Sequence, residues 1–266
     1  MAVKLYAGDA GGIARQVKKL YVGDANGIAR EVKELYVGDA SGTARKVFEK
    51  SGAAPAGQLP AGYTEVEYIQ NGTSSTTSYM PYIQMPDTAD ATKFAIKFAS
   101  GQVSSTGSTS VYAVYGYTIN DVTTSNIYRH GISIYHGKVC YRWSSTRFDL
   151  IDYTANTLYE VEIDGVAKTM TANGTVTSKN PSTYFRLPMN RLFGQQNNLD
   201  DEYQAKETKV YSVKMWDAGG EMLLDFIPCI DPSGAIGMYD VVGGKFYGNS
   251  NTSTSSYNKF IAGPEV

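Results

Sequence analysis

Residues 211–248 read YSVKMWDAGGEMLLDFIPCIDPSGAIGMYDVVGGKFYG, and this stretch decides the fold. Tyr211, Val213 and Met215 alternate with Ser212, Lys214 and Trp216. That is the period of a strand with one buried face. Asp217-Ala218-Gly219-Gly220 turns the chain, and Met222, Leu224 and Phe226 then alternate with Leu223, Asp225 and Ile227. Pro228 is expected to end this strand, because proline cannot donate to a central ladder. Asp231-Pro232-Ser233-Gly234 has the composition of a type I turn, with proline second and glycine fourth. Residues 236–240 and 245–248 flank Val242-Gly243-Gly244 as a hairpin. The whole reads as the closing strands of an all-β sandwich, with no catalytic arrangement in it.

Working outward, residues 59–69 read LPAGYTEVEYI and the chain closes on AGPEV. These two pieces, the VYSVKMWDAGGEMLLDFIPC strand pair and the GMYDVVGGKFYGN hairpin together resemble laminin-G-like (concanavalin-like) jelly-roll domains. Such domains are common in phage virion proteins and in surface proteins of gut Gram-positive bacteria. The resemblance spans about residues 59–266. It implies a jelly-roll sandwich, and it implies no particular ligand, because the shared motifs are structural.

Composition agrees with a β protein. The 266 residues allow one large β domain plus a smaller piece, and a domain of about 200 residues buries enough surface to need no staple. Twenty-one tyrosines with many Gly, Ser, Thr and Val suit strands joined by turns. The net charge of −2 gives no electrostatic reason to expect nucleic acid. Cys140 and Cys229 are the only cysteines. They read as two buried free thiols, with a disulfide as the alternative. The first residues lack the apolar core of a signal peptide, and no run approaches a membrane span. Both features fit a protein made in the cytoplasm and built into a virion.

Residues 5–49 carry three copies of a 15-residue repeat: LYAGDAGGIAR from Leu5, LYVGDANGIAR from Leu20 and LYVGDASGTAR from Leu35. Identities falling in register three times make the repeat a strong signal. Each Asp-Ala-x-Gly has a type I turn's preferences, so each copy reads as a small hairpin. Short helices are the alternative, since Ile13, Val17, Leu20 and Tyr21 also fit a helical face. Either way, fifteen residues cannot bury a face alone and must stack on neighbours or on identical chains. The repeat resembles the β-spiral shafts of viral fibres and repeats at the front of phage tail and head-fibre proteins. That likeness implies a homotrimeric stalk or virion-attachment segment over residues 1–50, with Leu5, Ile13, Leu20, Val22, Ile28, Leu35 and Val37 facing inward. A monomeric spacer is the alternative. Residues 51–58, small and containing Pro55, form a linker to a sandwich over 59–266.

Within the sandwich, Val66, Tyr68 and Gln70 alternate with Glu65, Glu67 and Ile69, and residues 93–99 alternate clearly. Residues 100–110 and 249–258 are low-complexity and read as loops, the first of them exposed. Residues 131–143 form a hairpin turning at His136-Gly137, and residues 158–170 one turning at Asp164-Gly165.

Glu160, Glu162 and Asp164 alternate on one strand, as acids do in sandwich-type glycoside hydrolases. A solvated strand face is the favoured reading, and no catalytic residue is assigned. His130 and His136, the only histidines, are poorly spaced for a metal, and His136 reads as a surface residue. Asp200, Asp201 and Glu202 offer oxygens to calcium but match no calcium loop, so no metal or other cofactor is expected. Tyr115, Tyr117, Tyr128, Arg129, Tyr141, Arg142, Trp143 and Arg147 combine flat aromatics with guanidinium forks. Such groups stack on sugar rings and bind hydroxyls or carboxylates. Of these, Tyr128, Arg129, Arg142, Trp143 and Arg147 lie nearest loop ends and are the ligand-binding candidates. The expected protein is a non-enzymatic phage virion component: a tail or head fibre, or a receptor-binding or decoration protein. Its expected partners are copies of itself in a trimer, other virion proteins and a host-surface glycan or protein, with no nucleic acid and no membrane. A bacterial surface adhesin is the alternative, and a glycoside hydrolase the alternative of another class.

Overall fold

The computed structural model describes residues 59–72, 80–86, 88, 90–105, 107, 111–121, 126–143, 146–177, 191–194 and 202–266. Before residue 59 it describes only the strand backbones. The backbone alone is described at 117–121, 126–130, 143, 177 and 202–203. The chain divides into two compact units, Met1–Ala54 and Pro55–Val266.

The first unit is three hairpins. β1 (Tyr6–Gly8) pairs with β2 (Ala14–Gln16), β3 (Tyr21–Gly23) with β4 (Ala29–Glu31), and β5 (Glu34–Gly38) with β6 (Ala44–Glu49). Tyr6 faces Gln16, Tyr21 faces Glu31 and Tyr36 faces Lys46, so the repeat carries one register through all three copies. The hairpin reading therefore describes these segments, and the helical one does not. Of the expected oligomerisation residues, Val22 lies in β3, and Leu35 and Val37 in β5. Leu5, Ile13, Leu20 and Ile28 lie outside the described residues.

The second unit is an all-β sandwich of two sheets. Its strands are β7 (Thr64–Glu65), β8 (Ile69–Gln70), β9 (Ile83–Gln84), β10 (Lys93–Ser100), β11 (Val111–Asp121) and β12 (Asn126–Tyr135). Then come β13 (Lys138–Trp143), β14 (Thr146–Asp152), β15 (Tyr159–Asp164), β16 (Thr169–Ala172), β17 (Thr175–Thr177) and β18 (Arg191–Leu192). The last are β19 (Glu202–Gln204), β20 (Thr208–Trp216), β21 (Met222–Ile230), β22 (Ile236–Asp240), β23 (Lys245–Tyr247) and β24 (Ile261–Ala262). One sheet has 11 strands in the order β17-β16-β15-β10-β20-β21-β22-β23, with β7, β8 and β24 beside this path. The other has seven, β14-β13-β12-β11-β18-β9, with β19 added to β11 in parallel.

The alternating apolar residues of both sheets meet in one core. Phe94, Ile96 and Phe98 of β10, Val213 and Met215 of β20 and Leu224 and Phe226 of β21 come from the larger sheet. Val114 and Tyr115 of β11, Ile132 and Ile134 of β12, and Val139 and Tyr141 of β13 come from the smaller. Phe94 stacks on Tyr115 across the two sheets, ring centres 4.4 Å apart and planes 17° apart. Offset stacking of this kind adds to what burial of two aromatics contributes. Burial holds the Tyr115 phenol well above its usual range, with Tyr141 nearby adding to the effect. A second, smaller cluster joins the opening LPAGY to the closing hairpin: Tyr63 packs against Tyr239 at 5.1 Å, beside buried Cys229 and Val241. The turn after Ile230 is the expected one, closed by Gly234 N–H donating to Asp231 O at 2.9 Å.

Several local expectations are corrected by this packing. β21 continues through Pro228 to Ile230. It leaves β20 after Phe226 and pairs instead with β7, and Val66 N donates to Pro228 O at the fork. Proline is tolerated because it stands where the ladder has already parted. Tyr211 is not on the face of Val213 and Met215. A bulge against Lys97 and Phe98 puts Val210 on the buried face and leaves Tyr211 half-buried. The alternation through 65–70 also breaks: Val66 and Ile69 are both buried, because β7 and β8 pair with different strands. Asp164 ends β15 and pairs with Thr169, and the turn is residues 165–168. The Asp164 carboxylate accepts the N–H groups of Val166 and Ala167, as aspartates at turns do.

The low-complexity segments are structured by their polar groups. Ser100 belongs to β10 and is buried, as is Gln102, while Val103 is exposed. Ser100 Oγ donates to Lys206 O at 2.8 Å and lies 3.0 Å from Thr208 Oγ1, and Tyr153 Oη lies 2.7 Å from the carbonyl oxygens of both Ser100 and Gln102, sharing its one proton between them. In 249–258, Asn249, Asn251, Ser253 and Ser255 each accept the N–H two residues on. Such Asx and Ser turns give the backbone a partner without a ladder. The segment also binds β9, since Ser250 Oγ accepts from Gln84 N at 3.0 Å.

Candidate functional site

Paired residues of neighbouring strands share a sheet face, so the register of the seven-stranded sheet gives the composition of its outer side. One row across the sheet is Gln84, Arg191, Gly116, Gly131, Arg142 and Arg147, on β9, β18, β11, β12, β13 and β14 in turn. The adjacent row is Gln204, Ala113, Ser133, Cys140 and Asp149. Their strand neighbours Ile83, Leu192, Tyr115, Ile132 and Tyr141 all point into the core. The rows therefore form a floor of glycine, alanine, serine and cysteine between arginine stations. A Cβ on Gly131 would lie 2.2 Å from Tyr115 O, so β11 and β12 approach this closely only because glycine stands there.

The arginines are held against rings. Arg191 Cζ lies 4.0 Å from the centre of the Tyr82 ring. Arg142 and Arg147 lie 5.4 and 4.7 Å from that of Tyr135. A ring under a guanidinium fixes its plane. Arg147 is already engaged, donating from Nε to Asp149 Oδ1 at 2.8 Å. Burial pushes the Cys140 thiol up to about 12, helped by Asp149 Oδ1 at 3.3 Å. A thiol so raised stays protonated and is a poor nucleophile. Three buried polar atoms of the two rows have no hydrogen-bond partner: Arg191 Nε, Ser133 Oγ and Gln204 Oε1. Buried polar groups are nearly always paired, so this concentration is unusual.

Of the residues singled out from sequence, Arg142 and Arg147 thus come together around Tyr135. Arg129 pairs with Thr118, Tyr128 with Ile119, and Trp143 with His130 and Thr146 along the same strands. The side chains of Tyr117, Tyr128, Arg129, His130 and Trp143 lie outside the described residues. Tyr115 and Tyr141 serve the core. His136 is half-buried rather than a surface residue. It sits at φ 51° with Gly137 at 66°, a type I′ turn, and its ring stacks on Tyr135 at 3.9 Å. Sequence reading missed Arg191, Tyr82, Tyr135 and the two floor glycines. Glycine inside a strand, in Tyr-Gly116-Tyr and His-Gly131-Ile, was the available signal of close backbone approach.

The acidic strand faces solvent on the larger sheet. Glu160 meets Lys97 at 2.8 Å, Glu162 meets Lys93 at 2.8 Å, and Asp164 is 3.9 Å from Lys93. These are cross-strand pairs between β10 and β15, the arrangement of a solvated sheet face. A cleft of about 480 Å³ opens at the fork of β20 and β21, lined by Glu65, Glu67, Lys97, Tyr211, Lys214 and Asp225 among others. Lys214 and Asp225 are paired there at 3.4 Å. Among the described residues no group of three or more His, Cys, Asp or Glu is arranged to hold a metal ion. Asp200, Asp201 and the Glu202 side chain lie outside them. Cys140 and Cys229 are free, buried thiols, and no described helix is long and apolar enough to cross a membrane.

The chain matches no protein-family model and no curated protein. Among solved structures it is similar to one described as the crystal structure of Scytalido-glutamic peptidase with a peptide based transition state analog. Identity there is 13% over 70% of this chain and 98% of that one, with a TM-score of 0.31. A score that low bears on neither ancestry nor activity.

Proposed function

We propose that this chain is a non-enzymatic phage virion protein: a tail or head fibre, or a receptor-binding or decoration protein. It presents a laminin-G-like sandwich that binds a host-surface glycan or protein, and its N-terminal repeats form a trimeric stalk. The observation that carries this reading is the run of three hairpins in one register at a period of 15. An isolated hairpin is marginal in water, so such hairpins need partners, and identical chains around a closed axis supply them. Three heads on one stalk turn weak single contacts into avidity. Guanidinium groups backed by rings, Arg191 on Tyr82 and Arg147 near Tyr135, are of the kind that contact surface polysaccharides.

The reading is tested by raising antibodies to residues 55–266 and probing purified phage particles by immunogold electron microscopy. Labelling at a fixed position on intact particles is expected. A chain present in infected cells and absent from the particles would overturn the virion assignment.

A further inference from the structure

We infer that the cleft at the fork of β20 and β21 binds the ammonium group of a lysine side chain carried by a protein partner. The inference rests on the reading above that the sandwich binds a surface partner, and it gives that partner's chemistry. The cleft exists because the larger sheet parts. β20 and β21 are paired where Val213 stands opposite Phe226 and Lys214 opposite Asp225, and they diverge beyond that point. Residues 65–69 cross the gap. They leave β21 where Val66 N donates to Pro228 O and join β20 where Ile69 stands opposite Val210. The opening of about 480 Å³ is the size of a small-ligand site. Val66 and Phe226, both buried, lie at its floor, and Leu158, Ile227, Pro228 and Val266 add apolar wall.

The polar lining of the cleft has acceptors to spare. Lys97 is committed to Glu160 at 2.8 Å, and Lys214 to Asp225 at 3.4 Å. Glu65 and Glu67 are exposed and have no ion-pair partner among the described residues, so the surplus charge of the cleft is negative. Asp225 points to a ligand independently. It stands on the outer face between Leu224 and Phe226 of the core, yet it is only 8% exposed. Lys214 lies against its Oδ2, and its Oδ1 has no hydrogen-bond partner among the described residues. Polar groups so placed are nearly always paired, and Asp225 lines the cleft, so a donor entering there completes it. An ammonium offers three donors and no acceptor, and the four-carbon stem of a lysine suits the apolar walls. An amino sugar carries its ammonium on a ring of hydroxyls, which those walls do not match. Tyr211 also lines the cleft, with its ring 5.3 Å from that of Tyr68. Tyr68 already carries the Lys209 ammonium 4.5 Å from its ring centre, so this face seats one lysine on a tyrosine beside the site.

The test is a saturation-transfer NMR titration of the full chain with the peptide acetyl-Gly-Lys-Gly-amide, its Nε-acetyl-lysine counterpart and a glucosamine trimer. The lysine peptide is expected to bind, with the strongest transfer on its lysine methylenes. The acetylated peptide is expected to bind at least about fivefold more weakly, the scale of a lost ion pair. Glu65→Gln combined with Glu67→Gln changes two exposed side chains, and it is expected to weaken the lysine peptide roughly five- to tenfold. Asp152→Asn, an exposed acid of the other sheet, is expected to leave binding unchanged. Affinity is expected to fall several-fold between about 50 and 500 mM salt, where screening lengths shorten. No binding of the lysine peptide, equal binding of the acetylated one, a preference that survives the double substitution, or tighter binding of the glucosamine trimer would overturn the inference. Oligomeric mass and virion labelling report on the proposed function separately. A virion-bound trimer indifferent to the lysine peptide sinks only this inference.

Discussion

Asn71 offers the sharpest test of how the sandwich is locked. It is fully buried just after β8 and carries no apolar surface worth burying for its own sake. Its Nδ2 donates to Ala205 O at 2.8 Å, and its Oδ1 accepts the Thr208 N–H at 2.7 Å. It therefore ties β8 to the loop before β20, across 134 and 137 residues of sequence. In Asn71→Ala both partners lose their bond in a dry site. Thr208 N–H then has no other acceptor, and an unpaired buried donor costs about 1–3 kcal/mol. Ala205 O retains the Thr208 hydroxyl at 2.9 Å, so its loss is only partial. The total expected is about 2–4 kcal/mol, from those two terms and the small cavity left. Urea unfolding followed by tryptophan fluorescence measures it on the right unit, because Trp143 and Trp216 both lie in the sandwich. A substitution at exposed Thr157 is the control and should stay within about 0.5 kcal/mol. An Asn71→Ala cost below about 1 kcal/mol would refute the argument that this buried amide fastens the two segments.

Other outcomes follow from the same packing. Phe94→Ala removes the ring stacked on Tyr115 between the sheets, and a loss of about 3–5 kcal/mol in the same urea assay is expected. Cys140 and Cys229 are buried, with both thiols pushed up to about 12 mainly by burial. A disulfide-exchange reagent near neutral pH should find no reactive thiol in the folded chain and two after unfolding. Fast labelling of the native protein would contradict this. The Asp231 carboxyl is held below its usual range, first by the Ser233 hydroxyl and then by backbone N–H groups of its turn. A lowered folded value means stability that is present above the unfolded aspartate range and lost as pH falls through the folded one. The melting-temperature advantage over Asp231→Asn should therefore shrink on acidification below about pH 4. Glu162→Gln breaks a half-exposed pair with Lys93 and should cost under about 1 kcal/mol by urea unfolding.

The sequence was most legible where local chemistry and tertiary demand agreed. The Asp231 turn, the Gly243-Gly244 hairpin and the alternation through β10 needed no information from elsewhere in the chain. The three hairpins were readable because the same residues recur at the same spacing. Errors came where a distant partner decided the outcome. A bulge opposite Lys97 and Phe98 shifted the phase at Tyr211, and divergence of β21 from β20 made room for Pro228. Ser100 and Asn249 looked like loop residues because their composition is polar, yet each is held by partners far along the chain. The site was legible only in part for the same reason. Arg142 and Arg147 are close in sequence, whereas Arg191 joins them through the register of four intervening pairings.

The central claim is that the repeats gather three copies of a binding sandwich. Light scattering of the purified chain, with and without residues 1–54, measures this directly. The account predicts three times the 28.9 kDa chain mass for the whole protein and a single-chain mass for residues 55–266. A full-length chain that runs as a monomer would contradict it.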